Sequence, residues 1–309
     1  MMRRVLVVGG AGLIGGAIAV HLRSLGHDVT IMGRRAPAKG GLDGIAFMQG
    51  SFLDPAINKA RLAPFDTLVF AAGNDLRQVP PDDAERNHFH HANTIGVPAF
   101  IARAKRAGMA CCVYVGTYYP HLVAPEVVAG EPYLRSRLAA EKALLALSDD
   151  TFRVCSLNAP FVPGKVDGVS SLPIDALVRF LIAEGDDAWI IPGGSNFIST
   201  NAFAEAAAGA IERGEGGAAY LMGDETWTYE HYCNLLLEGM GRGPIRHVRD
   251  EPHPVFVDES LYAGRTTQIA YEPDPAMVAL LGYTRNETAA VVKAIAPYYE
   301  ARALAGTPI

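Results

Sequence analysis

Residues 4–20 read RVLVVGGAGLIGGAIAV, and the fold follows from how this stretch is built. A β-branched run, Val5 to Val8, passes directly into Gly9, Gly12 and Gly15 at three-residue spacing, and an apolar helical pattern continues from Leu13 to Leu25. Each glycine has a steric task. Gly9 permits a tight turn, Gly12 lets a pyrophosphate approach the backbone where Leu13 and Ile14 open the helix, and Gly15 lets that helix pack closely on the strand. A glycine triplet alone is weak evidence; its position between strand and helix makes it the phosphate loop of a dinucleotide site.

Outward from this loop, short β-branched runs alternate with longer helical patterns, as parallel βαβ units require. Strands are expected at Val5 to Val8, Val29 to Met32, Ile45 to Met48, Thr67 to Ala72, Cys111 to Gly116 and Phe152 to Leu157. Helices are expected at Leu13 to Leu25, His91 to Arg106, Leu134 to Leu147, Ile174 to Glu184, Ala202 to Arg213, Tyr229 to Met240 and Glu287 to Ala303. The fold class is therefore α/β: a Rossmann-type doubly wound parallel sheet over residues 1–160, with a smaller C-terminal substrate lobe over 161–309 that can return elements to the sheet. Ligands sit beyond the carboxyl ends of such strands, so Gly9, Gly33, Ala71, Ala72, Gly73, Gly116, Thr117 and Asn158 should converge on one crevice.

The 309 residues are half hydrophobic and 19% charged, which excludes a disordered or collagen-like chain. A net charge of −6 without a block of five or six like charges gives nucleic acid no footprint in the overall balance. No segment reads as a membrane span, and five glycines interrupt what would otherwise pass for a signal peptide at the start. The four cysteines, two of them adjacent at Cys111 and Cys112, fit a reduced cytoplasmic protein. His88, His90 and His91 lack accompanying carboxylates or thiols at ligand spacing, so no metal is expected. Thr228 reads as the N-cap of the helix that follows Trp227.

The second strand is followed by Gly33, Arg34 and Arg35, where an NAD site usually carries an acid for the ribose hydroxyls. Two guanidiniums there can neutralise a 2′-phosphate, which favours NADP over NAD. Leu53 and Asp54, after the third strand, fall where the adenine lies; Asp54 either accepts from the adenine amino group or caps the next helix.

GGAGLIG, FLD around Asp54, FAAG (Phe70 to Gly73), ANTIG (Ala92 to Gly96), VGT (Val115 to Thr117), YLRSRLAAEK (Tyr133 to Lys142) and PFVPG (Pro160 to Gly164) occur in order. This run resembles the extended short-chain dehydrogenase/reductases of the NAD-dependent epimerase/dehydratase type. The resemblance implies Tyr133 as proton donor or acceptor, a basic residue at i+4, Thr117 holding the substrate oxygen, and Asn93 supporting a helix kink and a water relay, beside an ordinary packing role. It also places Pro160 and Val162 by the nicotinamide, Tyr118, Tyr119 and Asn158 by the substrate, and helices around Asn93 and Tyr133 in a homodimer.

The chemistry stands without the name. A phenol beside a positive charge can exchange protons near neutral pH, and four helical residues advance about 400°, so Tyr133 and Arg137 share a face. The chain departs from the pattern in three ways: Arg137 replaces the lysine, Gly116 stands where relatives often place serine, and only sixteen residues separate Thr117 from Tyr133. Arg137 is read as a working variant, as the mark of an impaired site, or as a sign that Tyr118 or Tyr119 is the working phenol. The expected activity is an NADP-dependent carbonyl reductase or alcohol dehydrogenase with a small-molecule substrate. A nucleotide-sugar epimerase or dehydratase, for which Arg246, Arg249 and Arg265 would clamp a diphosphate, is the alternative, and a weakly catalytic cofactor binder is the third.

Overall fold

In the computed structural model, which describes residues 1–75, 79, 80, 82, 83 and 87–307, the alternating half of the chain forms one seven-stranded sheet. Its strands are β1 (Arg4–Val8), β2 (Asp28–Gly33), β3 (Ala46–Gln49), β4 (Thr67–Phe70), β5 (Cys111–Thr117), β6 (Arg153–Ala159) and, after two short strands β7 (Trp189–Ile190) and β8 (Gly194–Phe197), β9 (Ala219–Leu221). The order is β3-β2-β1-β4-β5-β6-β9, every pair parallel. The order reverses next to β1, so the crevice opens at the end of β1 where the glycines lie.

Period-two alternation divides each strand between two cores. Val5, Val7, Val113 and Cys155 pack with Ile18 and Leu22 of the helix Leu13–Ser24 and with Phe203 and Ile211 of the helix Thr200–Arg213. Leu6, Val8, Phe70 and Tyr114 face Phe100 and Ile101 of the helix Val97–Arg106 and Leu144 of the helix Pro132–Leu145. A third core joins the helices Leu172–Glu184, Tyr229–Gly239 and Thr288–Leu304 under β8. The four cysteines are buried and free, and among the described residues no helix is long and apolar enough to cross a membrane.

The structure moves several expected boundaries. β4 ends at Phe70 rather than Ala72, leaving Ala71 to Gly73 as loop, whereas β5 runs on through Thr117 and β6 through Ala159. Helix formation before Asn93 starts at Asn87, and His90–Gly96 forms a π-helical segment ahead of Val97. β9 falls outside the expected strands, since three residues, AYL, are too short a run to register. Thr228 does cap its helix, its hydroxyl accepting from the His231 N–H at 3.1 Å; β10 (Glu225–Thr228) pairs antiparallel with β8, and β11 (His247–Val248) pairs with β7.

Candidate active site

The phosphate loop is built as its glycines dictate. Gly9 has φ +81°, and a Cβ there would lie 2.8 Å from the Ala71 backbone; one at Gly15 would lie 2.5 Å from the Gly9 carbonyl oxygen. At exposed Gly12 an added Cβ meets nothing nearer than 3.4 Å, so the surface above the helix N-terminus is open. Backbone N–H groups of Leu13, Ile14 and Gly15 head a twelve-residue helix whose positive pole faces that opening. Gly9 N–H donates to the Met32 carbonyl and Ala71 N–H to the Val8 carbonyl, which sets the ends of β1, β2 and β4 side by side. The residues present therefore fit a dinucleotide. Arg34 and Arg35 are exposed at the end of β2, and the Arg34 carbonyl accepts from Gln49 Nε2. Leu53 is exposed, while Asp54 accepts from the Ala56 N–H at 2.8 Å and so stabilises the turn leading toward the short helix Lys59–Leu62. Pro160 is buried at the end of β6, and Val162 is half-buried against the core of the first helix.

Arg137 ties together the end of β5, the Gly73 loop and the helix Pro132–Leu145. Its Nη2 donates to the Val115 carbonyl at 2.7 Å, two residues before Thr117, and Nη1 lies 2.2 Å from where a Cβ on Gly73 would be. The guanidinium carbon sits 5.3 Å from the Tyr114 ring centroid and 5.9 Å from that of Tyr133. Burial works against its charge, but Tyr114, Tyr133 and Asp75 outweigh that and hold the group above its ordinary value. Its Nε is buried without a hydrogen-bond partner among the described residues. A permanent cation thus stands beside the Tyr133 ring, at the Gly73 loop.

Burial governs the neighbouring phenols. Burial pushes Tyr114 up to about 12 although Arg137 opposes it, and burial likewise raises Tyr118 and Tyr119. These three stay neutral at physiological pH. Tyr118 has no exposure; its hydroxyl lies 2.6 Å from Ser195 Oγ and accepts from the Asn196 N–H at 3.1 Å. That is a strut between β5 and β8, not the substrate contact expected of it. Tyr119 stacks edge-on to Tyr118 and, at 5.2 Å, to Tyr262, whose ring lies nearly parallel to Tyr133 at 6.2 Å. The sequence around Tyr262 carries no motif that announces this contact.

Asn93 and Asn158 also occupy places that the sequence left open. Asn93 Oδ1 accepts from the Asn74 N–H, and its Nδ2 donates to the Asn74 carbonyl and to Ser136 Oγ, which itself donates to the Tyr133 carbonyl. The π-helical segment thereby locks the loop after β4 to the helix Pro132–Leu145. Asn158 is fully buried within a polar network rather than facing a ligand: Nδ2 donates to Glu141 Oε1 at 2.6 Å, Oδ1 accepts from Ser156 Oγ, and Glu141 Oε2 is 2.8 Å from His121 Nε2. These hydrogen bonds outweigh burial and hold the Glu141 carboxyl below the usual range. A Cβ at Gly116 would lie 1.8 Å from Asn158 Oδ1, so the absence of a side chain at 116 makes room for the amide. Thr117, 9% exposed at the end of β5, opposite Ala159, lies just beyond.

The NAD dependent epimerase/dehydratase family profile matches residues 5–214, the phosphate loop through the helix that returns to the sheet. The chain belongs to this family. Position 137, where the resemblance implies a lysine, carries arginine. A 2-alkyl-3-oxoalkanoate reductase of Stenotrophomonas maltophilia is 28% identical over 177 residues, spanning 53% of this chain and 52% of that protein, so the match covers about half the length of the curated relative. Among solved structures, gox2253 superposes with a TM-score of 0.76 at 20% identity, covering 96% of this chain and 98% of that one. Bordetella bronchiseptica WbmH, in complex with NAD+, gives 0.72 at 20% identity over 96% and 98%. A UDP-glucose-4-epimerase from Stenotrophomonas maltophila with bound NAD gives 0.73 at 17% over 98% and 99%. At these identities the superpositions carry the fold.

Proposed function

We propose that the protein is an NADPH-dependent carbonyl reductase, or the reverse alcohol dehydrogenase, acting on a small-molecule substrate. The observation that carries this is the pairing of Tyr133 with a buried, permanently charged Arg137 beside the Gly73 loop. When bound, the nicotinamide supplies or accepts the hydride. Tyr133 delivers the proton to the substrate oxygen, or withdraws it in the reverse direction, while Thr117 orients that oxygen from the end of β5. The Arg137 charge favours the phenolate left behind. Leu13, Ile14 and Gly15 hold the pyrophosphate by backbone N–H groups, with Gly9 and Gly12 giving it room, and Leu53 and Asp54 flank the adenosine end. Ala71, Ala72, Gly73, Pro160 and Val162 wall the nicotinamide end. Arg34 and Arg35 face the 2′-phosphate, which supports NADP over NAD.

Epimerisation or dehydration of a nucleotide sugar is the second reading, favoured by neighbours of that type. Against it, the arginines that would clamp a diphosphate are engaged elsewhere. Arg265 bridges Asp250 and Asp258, Arg246 pairs with Asp186, and Arg249 stacks over Trp189. Titration with NADPH and NADH, then a carbonyl and nucleotide-sugar panel, tests both. Tighter NADPH binding and net NADPH loss with a ketone are expected. Turnover of a nucleotide sugar without net absorbance change would replace this reading by the second.

A further inference from the structure

Between β2 and β3 the chain passes the phosphate loop and its helix at two places. It first runs beside Ala11: a Cβ on Gly33 would lie 3.4 Å from the Ala11 Cβ, and the next carbonyl, that of Arg34, accepts from Gln49 Nε2 at 3.2 Å. It then meets the loop after β6, where Gly41 N–H donates to the Asp167 carbonyl at 2.8 Å. Here two backbones touch with no side chain between them. A Cβ on Gly40 would lie 2.6 Å from the Asp167 carbonyl carbon and 2.9 Å from Gly168 N, and one on Gly168 would lie 3.1 Å from the Lys39 carbonyl carbon. Gly168 has φ +81°, so conformation and space both call for glycine there. The contact sits over the first helix: apart from the Gly10 carbonyl oxygen, the atoms nearest a Cβ on Gly16 are the tips of the buried Leu42 and Val166, at 3.5 and 3.7 Å, and Gly16 N–H closes the helix on the Gly12 carbonyl at 2.8 Å. The β6 loop is held from behind. The Pro163 carbonyl accepts from Thr200 N–H at 2.9 Å and the Gly164 carbonyl from the Tyr299 hydroxyl at 2.8 Å.

We propose that Gly40, Gly41 and Gly168 are positioning residues for the coenzyme: they clasp the β2 loop to the β6 loop and so hold the exposed Arg34 and Arg35 at the adenosine ribose. This rests on the NADP reading and goes beyond it, since it makes the preference for a 2′-phosphate depend on a glycine more than a hundred residues from either arginine in the chain. A span tied at both ends has few conformations, so its guanidiniums meet the phosphate already placed. Released at one end, the same cations must be ordered as the coenzyme binds, and the affinity falls by that cost.

Fluorescence titration of the full chain with NADPH and with NADH tests it, comparing Gly168→Ala with Gly26→Ala. Gly26 also has a positive φ, +85°, but a Cβ there meets nothing within 4 Å, so its variant reports backbone strain alone. Gly168→Ala should weaken NADPH about 10-fold, the scale of one charge-assisted hydrogen bond, with far less effect on NADH, and Gly26→Ala should change neither. Hydrogen exchange in the coenzyme-free chain reads the clasp directly: residues 34–42 should exchange faster in Gly168→Ala and as in the parent in Gly26→Ala. Exchange unaltered by Gly168→Ala would overturn the clasp, and faster exchange with unchanged NADPH affinity would overturn its positioning role. In a parent that prefers NADPH, equal weakening of both coenzymes would overturn that role too. A parent that binds both coenzymes alike would overturn the NADP reading instead. The clasp would then be upheld by weaker binding of both in Gly168→Ala but not in Gly26→Ala, and overturned by binding unchanged in both variants.

Discussion

At position 137 a guanidinium stands where the resemblance implies an ammonium, and its surroundings hold it in one place. Its planar fork reaches the Val115 carbonyl while its face lies against two phenol rings, a geometry a lysine lacks. Arg137→Lys keeps the charge on a shorter, unbranched tip, so activity should persist within about 10-fold; Arg137→Met removes it and should cost about 100-fold in kcat, the scale of one proton-transfer contribution. Tyr133→Phe should lower kcat by at least as much, with NADPH affinity, read by fluorescence titration, little changed. Activity of Tyr133→Phe equal to the parent would move the proton role to another group. The pair was legible in sequence because i and i+4 fall on one helix face, whatever the rest of the fold does. Tyr118 was not legible. A phenol beside Thr117 reads as substrate-facing until Ser195 and Asn196, far away in the chain, are seen to occupy its hydroxyl. For the cofactor, Arg34→Ser with Arg35→Glu should reverse the preference between NADPH and NADH by about 10-fold or more, since each charge-assisted bond is worth about 1.5–3 kcal/mol.

Between elements, the helix Pro132–Leu145 is fixed to its neighbours by two polar clusters, one through Asn93 and Ser136 and one through Glu141, Asn158 and His121. The first explains the π-helical segment: an extra residue in the helical turn lets the Asn93 amide meet both backbone groups of Asn74. The sequence offered ANTIG as helix and nothing more, because hydrophobic periodicity does not distinguish 3.6 from a locally wider turn. The second cluster has a pH signature. Glu141 is held below its ordinary value in the folded chain, so its contribution is present above the unfolded glutamate value of about 4.3 and is lost as pH falls through the lower folded value. Glu141→Gln should therefore lower stability by about 1–3 kcal/mol at pH 7 in urea melts, and the difference from the parent should shrink in acid below about pH 4. A difference that stays constant between pH 7 and pH 3 would mean that the carboxylate charge is not what the network holds.

In the whole molecule, the chain leaves the sheet after β6 and comes back through the helix Thr200–Arg213 and β9, so the second lobe is stitched to the first at both departures. That is why the alternation fades in sequence after about residue 160 although the sheet is unfinished. The returning helix is rich in alanine and β9 has three residues, so neither advertises its layer. The lobes meet along the β6–β8 connection, where Phe161 bridges Phe197 and Ile198 N–H donates to the Phe161 carbonyl, and next to it Tyr118 reaches Ser195. In the proposed reaction the substrate oxygen lies at the β5 end, and this seam sets the distance from that end to the segment around Arg265, which Gly193 anchors one residue before β8. Tyr118→Phe leaves the ring packing but strips a partner from Ser195 and the Asn196 N–H in a dry setting, a cost of about 1–3 kcal/mol. The expected result is a lower urea midpoint together with a raised KM for the carbonyl substrate and nearly unchanged NADPH affinity, because the phosphate loop lies wholly in the first lobe. Equal losses in NADPH and substrate affinity would show instead that the seam supports the sheet as a whole, and that the two ligands do not read separate halves of the molecule.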